Sequence, residues 1–301
     1  VADNISTLLS QVATIASVRG KALGMSRLDK DASKQSERAH NAKEGIARVS
    51  VSRLAGAEER VKEIISFQND ARTLLAENTT AWGDRRLLPN SLLEKFMHPW
   101  SELKREHDEK VEQFVAAAPQ LIASAETNKG NFNVQIPTLE EIEKAFDLSF
   151  NLEPVPDVST YKSGNLDKAV EKVLKERFEA NIKAAYTEAQ ADAVQRLAKP
   201  LENLVNKMTA FNERESAKVK GLSVDKSGTF RDTIIGNIQE IAEVFGEWNL
   251  TNDPIMKRLD DQLSAFGNIA ADDLRNSEAL RNDVSARAAK ILDEIRAGGF
   301  L

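Results

Sequence analysis

Between residues 165 and 211 apolar residues recur at mostly three- and four-residue steps: Leu166, Val170, Val173, Phe178, Ile182, Ala185, Ala189, Ala193, Leu197, Leu201, Leu204, Met208 and Phe211. That is the period of one face of an α-helix. At 1.5 Å per residue such a helix runs roughly 70 Å, longer than a small compact domain is wide. The stretch therefore predicts part of a long bundle or coiled coil, bent or broken where Pro200 withholds a backbone donor. Two earlier segments, residues 49–78 and 91–125, carry the same kind of stripe and predict packing partners, the second with Pro99 and Pro119 as kink points. Residues 79–89 between them read as irregular, with Gly83 and Pro89 as breakers.

From Lys129 the pattern changes. Residues 131–136 and 147–154 alternate apolar and polar residues and predict two short strands. Between them Thr138 and Glu141 stand at capping-box spacing and predict a short helix. Pro154, Pro156 and Gly164 mark a hinge. Residues 213–229 read as a loop. Helical periodicity returns over residues 230–248 and again from Pro254, where Asp253 is placed to cap and Pro254 to open a helix. The expected architecture is mainly α: an elongated helical bundle or coiled coil with a small β element around residues 131–154. It divides into a basic N-terminal segment (1–48), a helical domain with the β element (49–157) and a long helix with a C-terminal bundle (163–301).

Chemistry-bearing residues are few. The chain has no cysteine, which excludes disulfides, thiolate metal sites and a cysteine nucleophile and suits a reducing compartment. It has three histidines, and they lack ligand spacing; His107, four residues after Leu103 and four before Val111, reads as a packed side chain. No HExxH, G-x-S-x-G, P-loop or G-x-G-x-x-G is present. The adjacent acids Glu140-Glu141, Asp260-Asp261 and Asp272-Asp273 diverge by about 100° on a helix and read as surface charge, not as a metal site. A noncatalytic protein without cofactor or metal is expected. No apolar run approaches the roughly 18 residues of a membrane span, so a cytoplasmic protein is expected, in the host cytoplasm if phage-encoded.

Charge, by contrast, is sorted. Residues 19–53 hold nine Lys/Arg against four Asp/Glu, and residues 232–273 hold nine Asp/Glu against two Lys/Arg, in a chain of formal net charge −6. Separated signs predict two kinds of partner surface. Arg19, Lys21, Arg27, Lys30, Lys34, Arg38, Lys43, Arg48 and Arg53 lie in a stretch with little apolar content. That stretch is read either as a flexible arm that orders on nucleic acid or as an exposed element balanced by acidic neighbours in an oligomer. Trp82 with Arg85 and Arg86 forms a second candidate: the indole either stacks an unpaired base or plugs the end of a helix pair. Lys218, Lys220, Lys226 and Arg231 bracket a glycine-containing loop and form a third, with helix capping as the alternative role.

Several phrases resemble a phage and bacterial domain family of unknown function. They are Arg86-Leu87-Leu88-Pro89, residues 96–122 with Ala118-Pro119, Pro137-Thr138-Leu139-Glu140-Glu141, residues 147–156, and Phe230-Arg231-Asp232-Thr233 with Asn249-Leu250-Thr251-Asn252-Asp253-Pro254. More narrowly, the chain resembles the single-stranded-DNA-binding RNA polymerase cofactors of N4-related bacteriophages. That resemblance implies preference for single-stranded DNA, recruitment or activation of a phage RNA polymerase, and a fold unlike the usual β-barrel single-strand binders. No residue role is carried over from it. The expected function is noncatalytic single-stranded DNA binding by a homo-oligomer, with a helical protein-interaction adaptor, such as a partner of a phage or bacterial ATPase, as the alternative.

Overall fold

The computed structural model of the chain describes residues 5–162, 164, 167–220 and 231–299. Among these residues the elements are α1 (Ile5–Val12), β1 (Ala13–Lys21), β2 (Ser26–Asp29), α2 (Lys30–Ala39), β3 (Val49–Ser52), α3 (Glu58–Asn78), β4 (Thr80–Trp82), β5 (Arg85–Pro89), α4 (Leu93–Asn128), α5 (Leu139–Glu143), β6 (Asp147–Pro154), α6 (Lys168–Val219), α7 (Thr233–Phe245), α8 (Pro254–Leu263), α9 (Ala271–Asn276) and α10 (Glu278–Ala297). The fold is mainly α, as expected. Its strands form a four-stranded sheet ordered β4-β5-β1-β6 and an antiparallel pair β2-β3. No described helix is long and apolar enough to cross a membrane.

The chain divides into two compact units, each discontinuous in sequence: Val1–Ala16, Ala76–Glu94 and Leu152–Leu301 form one, and Ser17–Leu75 with Lys95–Asn151 the other. This differs from three consecutive domains. Residues 1–48 are divided between the units, and the proline cluster does not act as a linker, because Val155 and Val158 beside it are buried in an apolar cluster with Leu9, Ile15 and Leu87. An apolar pair flanked by prolines is a packing site first and a chain break second.

In the first unit α6 is the spine. It runs unbroken for 52 residues, about 78 Å at helical rise, with Pro200 inside it. Leu197, Leu201, Leu204 and Met208 are buried around the proline, so apolar packing holds the helix where one hydrogen bond is missing. Helix α10 packs along it, burying Val284, Ala288, Ile291, Leu292 and Ile295. The expected loop from residue 213 is overturned as far as Val219: this polar run consists of good helix formers, and Glu215 pairs with Lys218 at 2.5 Å, three residues on. Asp253 accepts hydrogen bonds from the Ile255 and Met256 amides and opens α8, as its sequence predicts.

Residues 79–89 are a β-hairpin and not an irregular connection. Trp82 faces Arg85 across a two-residue Gly83-Asp84 turn. Gly83 sits at φ +59°, the left-handed conformation that the first position of a tight hairpin turn requires. β5 then pairs with the first half of β1, Ala13 opposite Pro89 and Ala16 opposite Arg86.

In the second unit α3 and α4 pack around Leu54, Val61, Ile64, Phe114, Ala118 and Ala125, with Ile142 of α5. α4 continues through Pro99 and Pro119 over its 36 residues. His107 is buried, its Nε2 3.4 Å from Gln68 Nε2, placed to accept from it, and its Nδ1 3.0 Å from an Asp108 oxygen, placed to donate to it. Thr138 and Glu141 form the capping box read from the sequence. Of the two strands expected around residues 131–154, β6 is present, whereas residues 131–136 form no strand and begin in turns. The backbone donors of Asn133 and Val134 go instead to a carboxylate and to a tight turn.

A candidate nucleic-acid interface

The basic segment is an ordered part of the second unit, not a flexible arm. Its order comes from polar side chains. Asp29, buried at the end of β2, accepts hydrogen bonds from the Asp31 and Ala32 amides (2.9 Å each), capping α2, and from the Asn133 amide at 2.8 Å. Those amides hold its carboxyl below the usual aspartate range, Ala32 contributing most, against the opposing effect of burial. One turn on, Ser33 donates to the Asp29 carbonyl and accepts from the Val49 amide, tying α2 to β3. Glu37, also buried, accepts from the Gly45 and Ala47 amides at 2.6 and 3.2 Å and folds the 40–48 loop back onto the helix. Three buried acceptors thus replace the apolar core that this segment lacks.

The same framework sorts the nine cations. Lys21 donates to the Lys144 carbonyl at the C-terminus of α5. Arg27 donates to Gln135 Oε1 at 2.7 Å, and Arg53 to the Gln135 and Gly24 carbonyls, with Glu141 3.6 Å from its guanidinium. These three fasten neighbouring chain segments. Lys34 is exposed and lies 3.5 Å from an exposed Glu44, a solvent-screened pair of small value. Arg19, Lys30, Arg38, Lys43 and Arg48 are exposed and form no ion pair among the described residues.

Lys30, Lys34 and Arg38 stand four residues apart, so they line one ridge of α2 beside the inward-facing Ser33 and Glu37. Like charges at this spacing destabilise a helix by about 0.2–0.5 kcal/mol per pair. A screened pair of Lys34 with Glu44 and the place of Arg38 in the last turn of α2 offset this only in part. Together with Lys43 and Arg48 in the following loop, the ridge presents a row of solvated cations on a fixed support, which is the electrostatic form of a phosphate-binding surface.

The second candidate is corrected. Trp82 is 8% exposed and packs with Leu87, Ile182 and Ala189, so its ring has no free face for a base. Arg85 pairs with Glu153. Arg86 reaches back to the C-terminus of α3, donating to the Thr79 carbonyl at 2.9 Å and to Thr79 Oγ1 at 3.0 Å, with Asp192 of α6 at 3.3 Å. Arg196 donates to the same Thr79 carbonyl at 2.6 Å and stacks over Trp248. Asp192 also accepts from the Ala81 amide. Two guanidinium groups at a helix C-terminus neutralise its orphan carbonyls and dipole. Burial lowers the pKa of both arginines, Asp192 opposing the shift. This site is structural.

The third candidate falls apart in a similar way. Lys218 pairs with Glu215 and Lys220 is the C-cap of α6, both at the negative end of the helix dipole. Lys220 also borders an open pocket of about 510 Å³ with Thr209, Asn212, Ser216, Ala217 and Asn282, where Glu213 opposes an anion. Arg231 is exposed just before α7, and Lys226 lies outside the described residues. The sequence reading missed Asp29, Ser33 and Glu37, the residues that build the surviving site. Asp29 was findable, because Asp three residues before Ala32-Ser33 at the start of a polar helix is an N-cap signal.

Among the described residues no three of His, Asp or Glu gather as a metal site. Comparison of the chain with protein-family models, with curated proteins and with solved structures yields no match.

Proposed function

We propose that the protein binds single-stranded DNA without altering it, through the exposed cations of α2 and the loop after it. The observation that carries this reading is the row Lys30, Lys34 and Arg38, set at like-charge spacing on one ridge and held on a polar framework, with Lys43 and Arg48 in the following loop forming no ion pair among the described residues. Fluorescence anisotropy with a single-stranded oligonucleotide and the matching duplex, titrated at several salt concentrations, tests it. Binding that weakens linearly with log salt and favours the single strand is expected; absence of binding at low salt rejects the reading.

On this proposal the acidic surface of residues 232–273 serves a protein. Burial and a neighbouring like charge raise the pKa of Glu77, next to Glu240, and of Asp260, next to Asp261 and Glu247. Crowded carboxylates of this kind suit a basic partner, and this favours the second reading, an adaptor. A phage RNA polymerase is the partner that the resemblance implies. Self-association, in the elongated coiled-coil form expected from the sequence, would use Val170 and Val173, which are exposed on α6. Sedimentation velocity over a hundredfold concentration range tests it, a single concentration-independent monomer peak arguing against it.

A further inference from the structure

Phe132 is 50% exposed. A solitary exposed aromatic is ordinary, but this one is held in place on both sides. Its amide donates to the Lys129 carbonyl at 3.2 Å, and its carbonyl accepts from the Val134 amide at 3.0 Å, so Phe132 joins a four-residue turn that ends on it to a three-residue turn centred on Asn133. The next residue, Asn133, is bound through its amide to the same Asp29 carboxylate that caps α2. Two residues further, Gln135 is gripped by Arg27 and Arg53. One buried carboxylate and two arginines therefore fasten the Phe132 turn beside the first turn of α2, where the ridge of Lys30, Lys34 and Arg38 begins. The other aromatic side chains of this unit, Phe67, Phe96, Trp100, Phe114, Phe146 and Phe150, are buried or half-buried.

We propose that Phe132 is a base-stacking residue of the single-strand site, an unpaired base lying on its ring while the adjoining phosphates meet Lys30, Lys34 and Arg38. The inference rests on the DNA-binding reading and adds what cations alone do not supply. Cations attract single strands and duplexes alike, whereas a ring face is open only to bases that are not already stacked in a duplex. Stacking on a phenyl ring uses no hydrogen-bond readout, so the site tolerates any sequence.

The experiment uses the full chain and two variants at one ring. Phe132→Ala is expected to weaken binding of an oligothymidine about tenfold while leaving duplex binding and the thermal melt unchanged. Phe132→Trp introduces an exposed indole into a protein whose own Trp82, Trp100 and Trp248 are 8%, 7% and 2% exposed. Its emission is expected to be quenched by oligothymidine and much less by an abasic strand of equal length. If Phe132→Ala binds like the wild type and the Phe132→Trp emission does not respond, stacking is overturned while phosphate binding stands. If the wild type ignores oligonucleotides at low salt, both proposals are rejected.

Discussion

Two arginine-bearing stretches of this chain look alike as sequence and have opposite fates. In the hairpin of residues 80–89, Arg85 and Arg86 are consumed by Glu153, Asp192 and the carbonyls that end α3. In residues 30–48, Lys30, Arg38, Lys43 and Arg48 face solvent with no ion pair among the described residues. The difference lies in what surrounds each cation, not in how many there are. Where a helix ends beside an arginine, its free carbonyls take the guanidinium; where the local acceptors are already taken by backbone amides, lysines and arginines are left facing solvent.

The contrast is broken most severely in the hairpin. Arg86→Met leaves Asp192 without one of its two guanidinium neighbours and removes one of the two guanidinium donors to the Thr79 carbonyl, and is expected to destabilise the protein on the order of 3 kcal/mol, read by urea unfolding. A smaller loss follows Glu37→Ala, which leaves the Gly45 and Ala47 amides unpaired, about 1–3 kcal/mol confined to the basic segment. Accelerated hydrogen exchange at those two amides, with α10 unaffected, identifies it. The joint change Lys30→Ala, Lys34→Ala, Arg38→Ala should raise stability by a few tenths of a kcal/mol, since it removes like-charge neighbours. A melt that drops by several degrees would mean that the row is structural after all.

A pH titration sharpens the same comparison. The Asp29 carboxyl titrates below its unfolded value in the folded chain, so its anchoring is fully present above about pH 4 and is lost as pH falls through the lower, folded value. Exchange at the Asp31, Ala32 and Asn133 amides should therefore stay slow down to that range and quicken below it. Quickening already at pH 6 would assign the anchor to another group.

Much of the fold was legible in the sequence. The long stripe of α6, the Thr138-Glu141 box and the Asp253-Pro254 helix start are local signals with one physical solution each, and all are present. What was hidden depends on distant partners. The Gly83-Asp84 turn reads as a break until β5 finds β1, and Pro200 reads as an end of the helix until neighbouring leucines pack around it. The basic segment was recognisable by charge, but its order depends on Asp29 meeting the amide of Asn133, 104 residues away. Phe132 falls in an alternating stretch, a pattern that says nothing about whether a ring faces solvent.

The most direct test of the central claim compares oligonucleotide affinity for the wild type, for Lys30→Ala/Arg38→Ala/Lys43→Ala/Arg48→Ala and for Arg85→Ala across a salt series. The four-site variant is expected to bind at least about tenfold more weakly at low salt, its log–log salt slope reduced by about 0.7 for each phosphate that it no longer neutralises, with Arg85→Ala unchanged. Equal affinity and equal slope for the wild type and the four-site variant would contradict the account.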